Sequence, residues 1–178
     1  DVSGMVFRVE KHNDEKMDDD RWLYLPGLDL VKRISAGDKR TSFVGSHFFY
    51  EDISGRSTQA DSYSLIEETA DRFVLNAVPK KGDEVEFSRF LVEVDKATFM
   101  PMSIKFFDKS DQAYRLVETL NTEEIDGHTT VTKSKISDLK SGGHTLMEFR
   151  NISYDLGLPD SIFSERSLRT PPLDWLRK

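Results

Sequence analysis

From residue 62 onwards the chain repeats one pattern: a short run of alternating apolar and polar residues, followed by a few turn-forming residues. In the run 87–94, for example, Phe90, Val92 and Val94 fall on one side of an extended chain, because side chains of a strand alternate between two faces. Asp126-Gly127 is a residue pair typical of a two-residue hairpin turn. Strands joined by such short turns pair with their sequence neighbours, so the pattern predicts an antiparallel meander.

The same pattern occurs near the amino terminus, and we predict about nine or ten strands in all. They are the segments 4–9, 21–25, 30–34, 62–68, 72–78, 87–94, 100–107, 114–120, 129–139 and 144–154. The acidic run 12–20 between the first two is typical of a solvated loop. One short helix is predicted at 161–168, because Asp160 or Ser161 can cap it and Pro171-Pro172 stops it.

The composition limits the class of protein. With 178 residues, 37% of them hydrophobic, the chain is long enough for one sizeable core, and we predict a single domain over 1–178. A net charge of −7 argues against a nucleic-acid partner, which requires a basic face. No apolar run approaches the ~20 residues of a membrane-spanning helix.

The residues that usually carry chemistry do not form a recognisable site. The absence of cysteine excludes disulfides, thiolate ligands and a cysteine nucleophile. His12, His47, His128 and His144 have no metal-ligand spacing, and Gly45-Ser46 lacks the second glycine of a nucleophile elbow. We therefore predict no catalytic residue, no metal and no cofactor, and a protein that is not an enzyme.

The segment 42–52 is too rich in aromatic residues for a solvated linker, and we predict an ordered loop or short helix. Phe43, Phe48 and Phe49 are expected to pack under a neighbouring region of sheet. At its end, Glu51-Asp52 would point to opposite sides of a strand and so could not form a catalytic pair. We predict structural roles for both acids, either as caps or as a charge that holds Arg33, Arg40 or Arg56.

Two neighbouring stretches also carry a family resemblance. The sequence WLYLPGLDLVKRI begins at Trp22 and SFVGSHFFYEDI begins at Ser42, giving the pattern W-x-Y-x-P, then R-I, then S-F-x-G-S-x-F-x-Y-E-D. This combination resembles the outer-membrane lipoprotein-sorting proteins of the LolA-like superfamily. The resemblance extends from Val2 to about Trp175 and includes the late motif FSERSL.

The resemblance implies a fold, a location and a function. The fold would be a single strongly curved antiparallel sheet, a half-open barrel, with few short helices covering its concave face. The protein would be a periplasmic carrier or chaperone that binds acyl chains of lipoproteins or another lipid in an apolar cavity. Its partners would be an inner-membrane transporter and an outer-membrane receptor, and no nucleic acid. Relatives also have a leader, a helix and strands ahead of the region matching residues 2–9, which this sequence is expected to lack.

Several predicted strands are apolar on both faces, which is typical of a sheet that covers a cavity on one side. From this and the resemblance we predict that Trp22, Tyr24, Phe90, Met102 and Phe106 line or border an apolar ligand site. Strand parity alone does not say which face of the sheet is the concave one. A shift of one residue in this assignment would replace Phe106 by Phe107 and Phe90 by Leu91. The alternative function is a periplasmic interaction or sensor module, such as a companion of a membrane exporter, without lipid transport.

Overall fold

The computed structural model describes residues 3–12, 14 and 17–176, and within them ten strands form two antiparallel sheets. The smaller sheet contains β1 (Val6–Glu10), β2 (Asp20–Leu25) and β3 (Leu30–Ile34) in that order. The larger sheet has the order β10-β9-β8-β7-β6-β5-β4. Its strands are β4 (Asp61–Glu68), β5 (Arg72–Pro79), β6 (Phe87–Asp95), β7 (Pro101–Asp108), β8 (Ala113–Ile125), β9 (His128–Asp138) and β10 (His144–Glu148).

The prediction of a mainly β, antiparallel meander is confirmed, because every strand of the larger sheet pairs with its sequence neighbour. Asp126 and Gly127 both have positive φ, 51° and 82°, as a type I′ hairpin turn requires. The structure differs from the prediction by more than two residues at two boundaries: β8 continues to Ile125, and β10 ends at Glu148. The strong curvature of a half-open barrel stays a prediction.

The prediction of one continuous sheet is wrong. Between β3 and β4 the β pairing is limited to one isolated bridge, between Ser42 and Phe49. Val44 and Gly45 have positive φ, 46° and 80°, which an extended strand cannot accommodate. The chain then enters the helix α1 (Tyr50–Ser54), so the ladder of the first three strands is not continued by β4.

In the described part of the chain the helices are few and short, as predicted. Besides α1 they are α2 (Glu165–Arg169) and α3 (Leu173–Leu176). The predicted helix at 161–168 is a 3₁₀ turn, Asp160–Phe163, followed by α2, because Ser164 between them is extended. None of the helices described combines the length and the apolar character that crossing a membrane requires.

The chain divides into two compact units. The first comprises residues 1–44, 49–54 and 155–178, and the second comprises residues 45–48 and 55–154. The first therefore contains the three-stranded sheet with the three helices, and the second contains the seven-stranded sheet. The assignment of 1–178 to a single domain stays a prediction.

Each unit has its own core. In the first, Leu23 and Ile34 of the small sheet pack with Tyr50 of α1, and the Phe43 ring meets the Tyr50 ring edge-on at 5.4 Å between centroids. Leu168 of α2 is also fully buried. Because burial of large apolar side chains is the main stabilising term, Tyr50 explains why so short a helix as α1 is held in place.

The core of the second unit lies on one face of the seven-stranded sheet. It consists of Ala77, Phe87, Phe90, Val92 and Phe106. Phe87 meets both Phe90 and Phe106 edge-on, with centroids 5.6 and 5.3 Å apart. This arrangement is the favourable one for aromatic pairs, and it fixes which face of the sheet is the apolar one.

Candidate functional site

An apolar row crosses six of the seven strands of the large sheet on its core face. The paired residues in this row, each directly opposite the next, are Leu65, Leu75, Val92, Ile104, Val117 and Ile136. Directly opposed side chains on one face are in contact distance. The row therefore forms a continuous apolar surface from the edge strand β4 to β9.

A second row runs beside it and contains two of the residues predicted from the sequence. Tyr63 lies opposite Ala77, Ala77 opposite Phe90, and Phe90 opposite Phe106. The apolar part of the row ends at Arg115, a buried arginine whose guanidinium lies 5.4 Å from the centre of the Phe106 ring. Arg115 also donates a hydrogen bond to the backbone carbonyl of His47 at 3.3 Å, which satisfies part of a charge that would be costly to bury alone.

The structure decides the strand parity that the sequence left open. Phe90 and Phe106 face the core, and Met102 is the extra residue of a β-bulge opposite Val94. Phe107 pairs instead with Arg89, whose guanidinium stacks 3.7 Å from its ring centre. Phe90 and Phe106 therefore belong to the apolar surface of the core face, and Phe107 does not.

The opposite face of the sheet is more polar than the sequence pattern suggested. One row across it reads Val74, Glu93, Ser103, Glu118, Lys135 and Leu146. Lys135 lies 3.7 Å from Glu118, and Arg72 donates to Glu93 at 2.5 Å. Apolar residues on this face are interrupted by charges, so only the core face offers an extended apolar surface.

This apolar face is closed in the middle of the sheet and open toward β4. Phe90 and Phe106 are each 5% exposed, whereas Tyr63 and Leu65 on β4 are 43% and 54% exposed. The Tyr63 ring still meets Phe90 edge-on at 6.3 Å, and burial raises the pKa of its hydroxyl. Tyr63 and Leu65 are not among the five site residues predicted from the sequence, although their alternation with Ser62 and Ser64 was visible.

Trp22 and Tyr24 lie elsewhere, on β2 of the three-stranded sheet. They point away from Leu23, which is in the core of that unit. The guanidinium of Arg8 stacks 4.6 Å from the Trp22 ring, and the Tyr24 hydroxyl donates to Asp29 at 3.2 Å. The structure thus brings Phe90 and Phe106 onto one face, places Met102 in a bulge of β7, and places Trp22 and Tyr24 in the first unit.

The acids of segment 42–52 have the structural roles predicted for them. The buried Glu51 pairs with Arg40, which also stacks over the Phe49 ring at 5.3 Å. Asp52 accepts a hydrogen bond from the backbone N–H of Phe49 at 2.5 Å, as a capping residue does. Both acids are engaged in holding the segment together.

Residues 45–48 belong to the second unit, and His47 links them to β10. Its Nδ1 lies 2.8 Å from the Thr145 hydroxyl, which also accepts the backbone N–H of His47 at 3.1 Å. Opposite the ring, a Cβ on Gly143 would stand only 2.7 Å from Nε2 of His47. Glycine at this position therefore makes room for the imidazole.

We expect Gly143→Ala to lower the free energy of unfolding by about 1–3 kcal/mol, the usual cost of forcing an atom into occupied space. Thermal or urea denaturation measures this change. Gly27→Ala is the matched control, because a Cβ there meets nothing within 4 Å. Equal stability of the two variants would show that His47 is not confined between Gly143 and Thr145.

In the part of the chain that the structure describes, no three histidine, aspartate or glutamate side chains come together as metal ligands. A strongly lowered pKa occurs instead in a group of surface ion pairs. Lys133 and Arg150, for instance, lower the pKa of Glu148 to about 2 by hydrogen bonding to it. Among the described residues, the apolar face is therefore a stronger candidate site than any cluster of charged groups.

Comparisons with known proteins identify the relatives of the chain. A family model described as an uncharacterized protein matches residues 1–170. The structure is similar to that of a DUF1329 family protein from Desulfovibrio piger, with a TM-score of 0.84, 33% identity, and coverage of 94% of this chain and 72% of that one. No curated protein matches the sequence significantly.

Two further solved structures agree with this. One is described as an outer membrane lipoprotein-sorting protein domain from Vibrio parahaemolyticus, with a TM-score of 0.83, 27% identity, and coverage of 94% of this chain and 72% of that one. The other is a LolA superfamily protein from Nitrosomonas europaea, with a TM-score of 0.59, 24% identity, and coverage of 83% and 67%. The resemblance drawn from the two sequence motifs is confirmed.

Proposed function

Because this chain belongs to the DUF1329 family and has a LolA-like fold, we propose that it is a periplasmic carrier for acyl chains. Its cargo would be a lipoprotein or another lipid, passed toward the outer membrane. The similar structure from Vibrio parahaemolyticus, described as lipoprotein-sorting, supports this. The observation that carries the proposal is the apolar face of the seven-stranded sheet, which remains open at Tyr63 and Leu65.

The proposed site is built on that face. Phe90 and Phe106 form its floor, Met102 adds an adaptable side chain, and Tyr63 and Leu65 form the accessible border. Trp22 and Tyr24 stay members of the site by sequence prediction only. A strongly curved sheet with this face on its concave side would surround an acyl chain better than a flat one, and we include that curvature in the proposal.

The mechanism requires no bond-making chemistry. Exposing an acyl chain to water costs about 0.8 kcal/mol per CH₂ group, so an apolar surface can hold a lipid in an aqueous compartment. Transfer then needs a receptor that binds the chain more tightly than the carrier does. In this proposal an inner-membrane transporter loads the protein and an outer-membrane receptor unloads it.

We expect a fluorescent fatty acid to bind saturably, and Leu65→Asp to weaken that binding about tenfold or more, because a leucine contact is worth roughly 1.5–3 kcal/mol. Met102→Asp should act in the same direction. Phe106→Asp is less informative, since its ring is in the core and the substitution would also impair folding. Fluorescence titration gives the affinities, and circular dichroism checks that each variant is folded.

Val78→Asp is the control for this experiment. Val78 is 44% exposed and lies on the neighbouring strand opposite Ser62, on the other face of the sheet. Its substitution should leave the affinity unchanged within about twofold. If the protein binds no acyl probe, or if Val78→Asp and Leu65→Asp weaken binding equally, the carrier proposal fails.

The alternative proposal is an interaction or sensor module without lipid transport. One observation favours it independently: the strand β4 is a free edge of the large sheet and is almost entirely exposed. A module of this kind would bind a protein partner without retaining lipid, so the two proposals are separated by the fatty-acid titration.

A further inference from the structure

Among the residues that the structure describes, none pairs with the outer side of strand β4. It is the last strand in the order of the seven-stranded sheet, and all of its residues except Asp61 are exposed. An edge strand presents a row of backbone N–H and C=O groups that another extended segment can pair with. β4 is eight residues long, and it provides such a row over its regular part, from Asp61 to Leu65.

The other edge strands that the structure describes carry charges that discourage pairing. On β1, Arg8 pairs with Glu10 at 2.7 Å, and β3 contains Lys32 and Arg33. On β10, Glu148 is held by Lys133 and by Arg150 from just beyond the strand, each at 2.8 Å. Charged side chains, lysine above all, are a common means of blocking a sheet edge.

β4 lacks this protection through most of its length. Its residues 62–66 read Ser-Tyr-Ser-Leu-Ile, without a charge or a proline. Irregularity begins only at Ile66, the extra residue of a β-bulge, and acids follow at Glu67 and Glu68. The regular part of the edge, from Asp61 to Leu65, is thus open to pairing, and the bulge and the acids mark where it ends.

The side chains of β4 define what an added strand would contact. On the core face they are Tyr63 and Leu65, continuous with the apolar rows of the sheet. On the other face they are Ser62 and Ser64, which are small and polar. An added strand with apolar residues on one side and small polar residues on the other would extend both faces without a mismatch.

The acidic residues at the end of β4 indicate which residues an added strand would carry opposite them. Glu67 and Glu68 are exposed, Glu68 accepts from Lys96 at 2.6 Å, and the chain as a whole carries −7. Lysine or arginine on the partner would complement this end of the edge. In an antiparallel pair, which is the more stable arrangement, these basic residues would stand at the amino end of the partner segment.

A second copy of the chain fits this edge poorly. Antiparallel self-pairing centred between Ser64 and Leu65 would place Asp61 opposite Glu68 of the other copy, and the same clash would occur twice. Like charges directly opposite each other destabilise a pair of strands. An occupant that pairs along the whole of β4 must therefore differ from this chain in charge.

We infer that β4 is a docking edge for an extended segment of a partner protein, which adds to the sheet as an eighth strand. The segment has lysine or arginine at its amino end, followed by alternating apolar and small polar residues. Binding combines backbone pairing with side-chain contacts at Tyr63 and Leu65, the mode known as β-strand addition. It does not depend on lipid binding, so either can fail without the other.

A synthetic peptide the length of β4, with two lysines followed by alternating valine and threonine, is the probe for this inference. We expect saturable binding by fluorescence anisotropy, and slowed amide hydrogen exchange confined to β4. Leu65→Lys should weaken the affinity about tenfold or more, because it introduces a charge at the apolar contact. Leu146→Lys is the control: it is similarly exposed, 50% against 54%, and lies on the other edge strand.

The peptide itself supplies the second control. In an added strand only every second backbone N–H points toward β4. We therefore compare two peptides, one with all valine nitrogens methylated and one with all threonine nitrogens methylated. Methylation should abolish binding in the peptide whose N–H groups face β4 and spare it in the other. The inference is overturned if both methylated peptides bind equally well. It is also overturned if a peptide with the same residues, but with the valines and the threonines each grouped together, binds as well as the alternating one. Either result would mean that charge attraction alone explains the binding. A dimer in sedimentation that Leu65→Lys dissolves would assign the edge to a second copy instead.

Discussion

Replacing Phe48 by alanine is expected to lower the free energy of unfolding by about 3–5 kcal/mol, the usual cost of removing a buried phenylalanine ring. Phe48 is 4% exposed, and its backbone N–H donates to the Ser46 hydroxyl at 3.1 Å, so both its ring and its backbone are held. The loss should appear as a lower urea midpoint with an unchanged slope. A changed slope would mean that the unfolded state was altered as well.

Phe99→Ala is the control for this substitution. Phe99 is 71% exposed in the turn between β6 and β7, and its truncation should change stability by no more than about 0.5 kcal/mol. An unchanged midpoint for Phe48→Ala would contradict the burial and would assign this ring to a surface that a partner contacts.

The burial of Phe48 and the strands of the large sheet could be predicted from the sequence because both depend on local patterns. Alternation of apolar residues reports which side of a strand is buried, and Asp126-Gly127 reports the turn. The separation into two sheets could not be predicted in this way. It depends on the backbone at Val44 and Gly45, and a valine with positive φ has no sequence signal.

The sequence also could not predict which arginine pairs with Glu51. Glu51 could have been paired with any of three arginines, and the structure assigns it Arg40. Arg33 turns instead to Asp20, and Arg56 to Asp61. Each pairing follows from which strands and loops become neighbours in space, and nothing in the spacing along the chain encodes that.

The candidate site was predicted only in part, because some of it depends on local sequence patterns and some on the order of the strands in the sheet. Phe90 and Phe106 could be proposed from the alternation within their own strands, but the apolar residues beside them, Leu91 and Phe107, left the choice of face open. The accessible border at Tyr63 and Leu65 follows from the position of β4 at the sheet edge, which requires the whole strand order. The sequence therefore indicated the floor of the apolar surface and missed its opening.

Asp61→Asn is expected to destabilise the second unit by about 3–5 kcal/mol, because it leaves a charged partner without its counter-charge in a largely buried position. The Asp61 side chain is fully buried, and both of its oxygens accept hydrogen bonds from Arg56 at 2.8 Å. The same guanidinium lies 5.2 Å from the centre of the Phe87 ring. The pair thus joins the start of β4 to the aromatic core.

Asp111→Asn provides the comparison, since Asp111 also accepts from an arginine, Arg89, at 2.7 Å, but its side chain is 65% exposed. An exposed pair of this kind contributes only about 0–1 kcal/mol. Added salt should reduce the Asp111 effect and leave the Asp61 effect nearly unchanged, because buried charges are poorly screened.

A double-mutant cycle with Arg56→Gln and Asp61→Asn separates the pair from its surroundings. If the two side chains act mainly on each other, the double variant should be less destabilised than the sum of the single variants, by about 0.5–3 kcal/mol. Strict additivity would contradict the direct pairing and would attribute the cost of each substitution to other contacts. Because β4 begins at Asp61, a loosened pair should also speed amide exchange along this edge before the rest of the sheet opens.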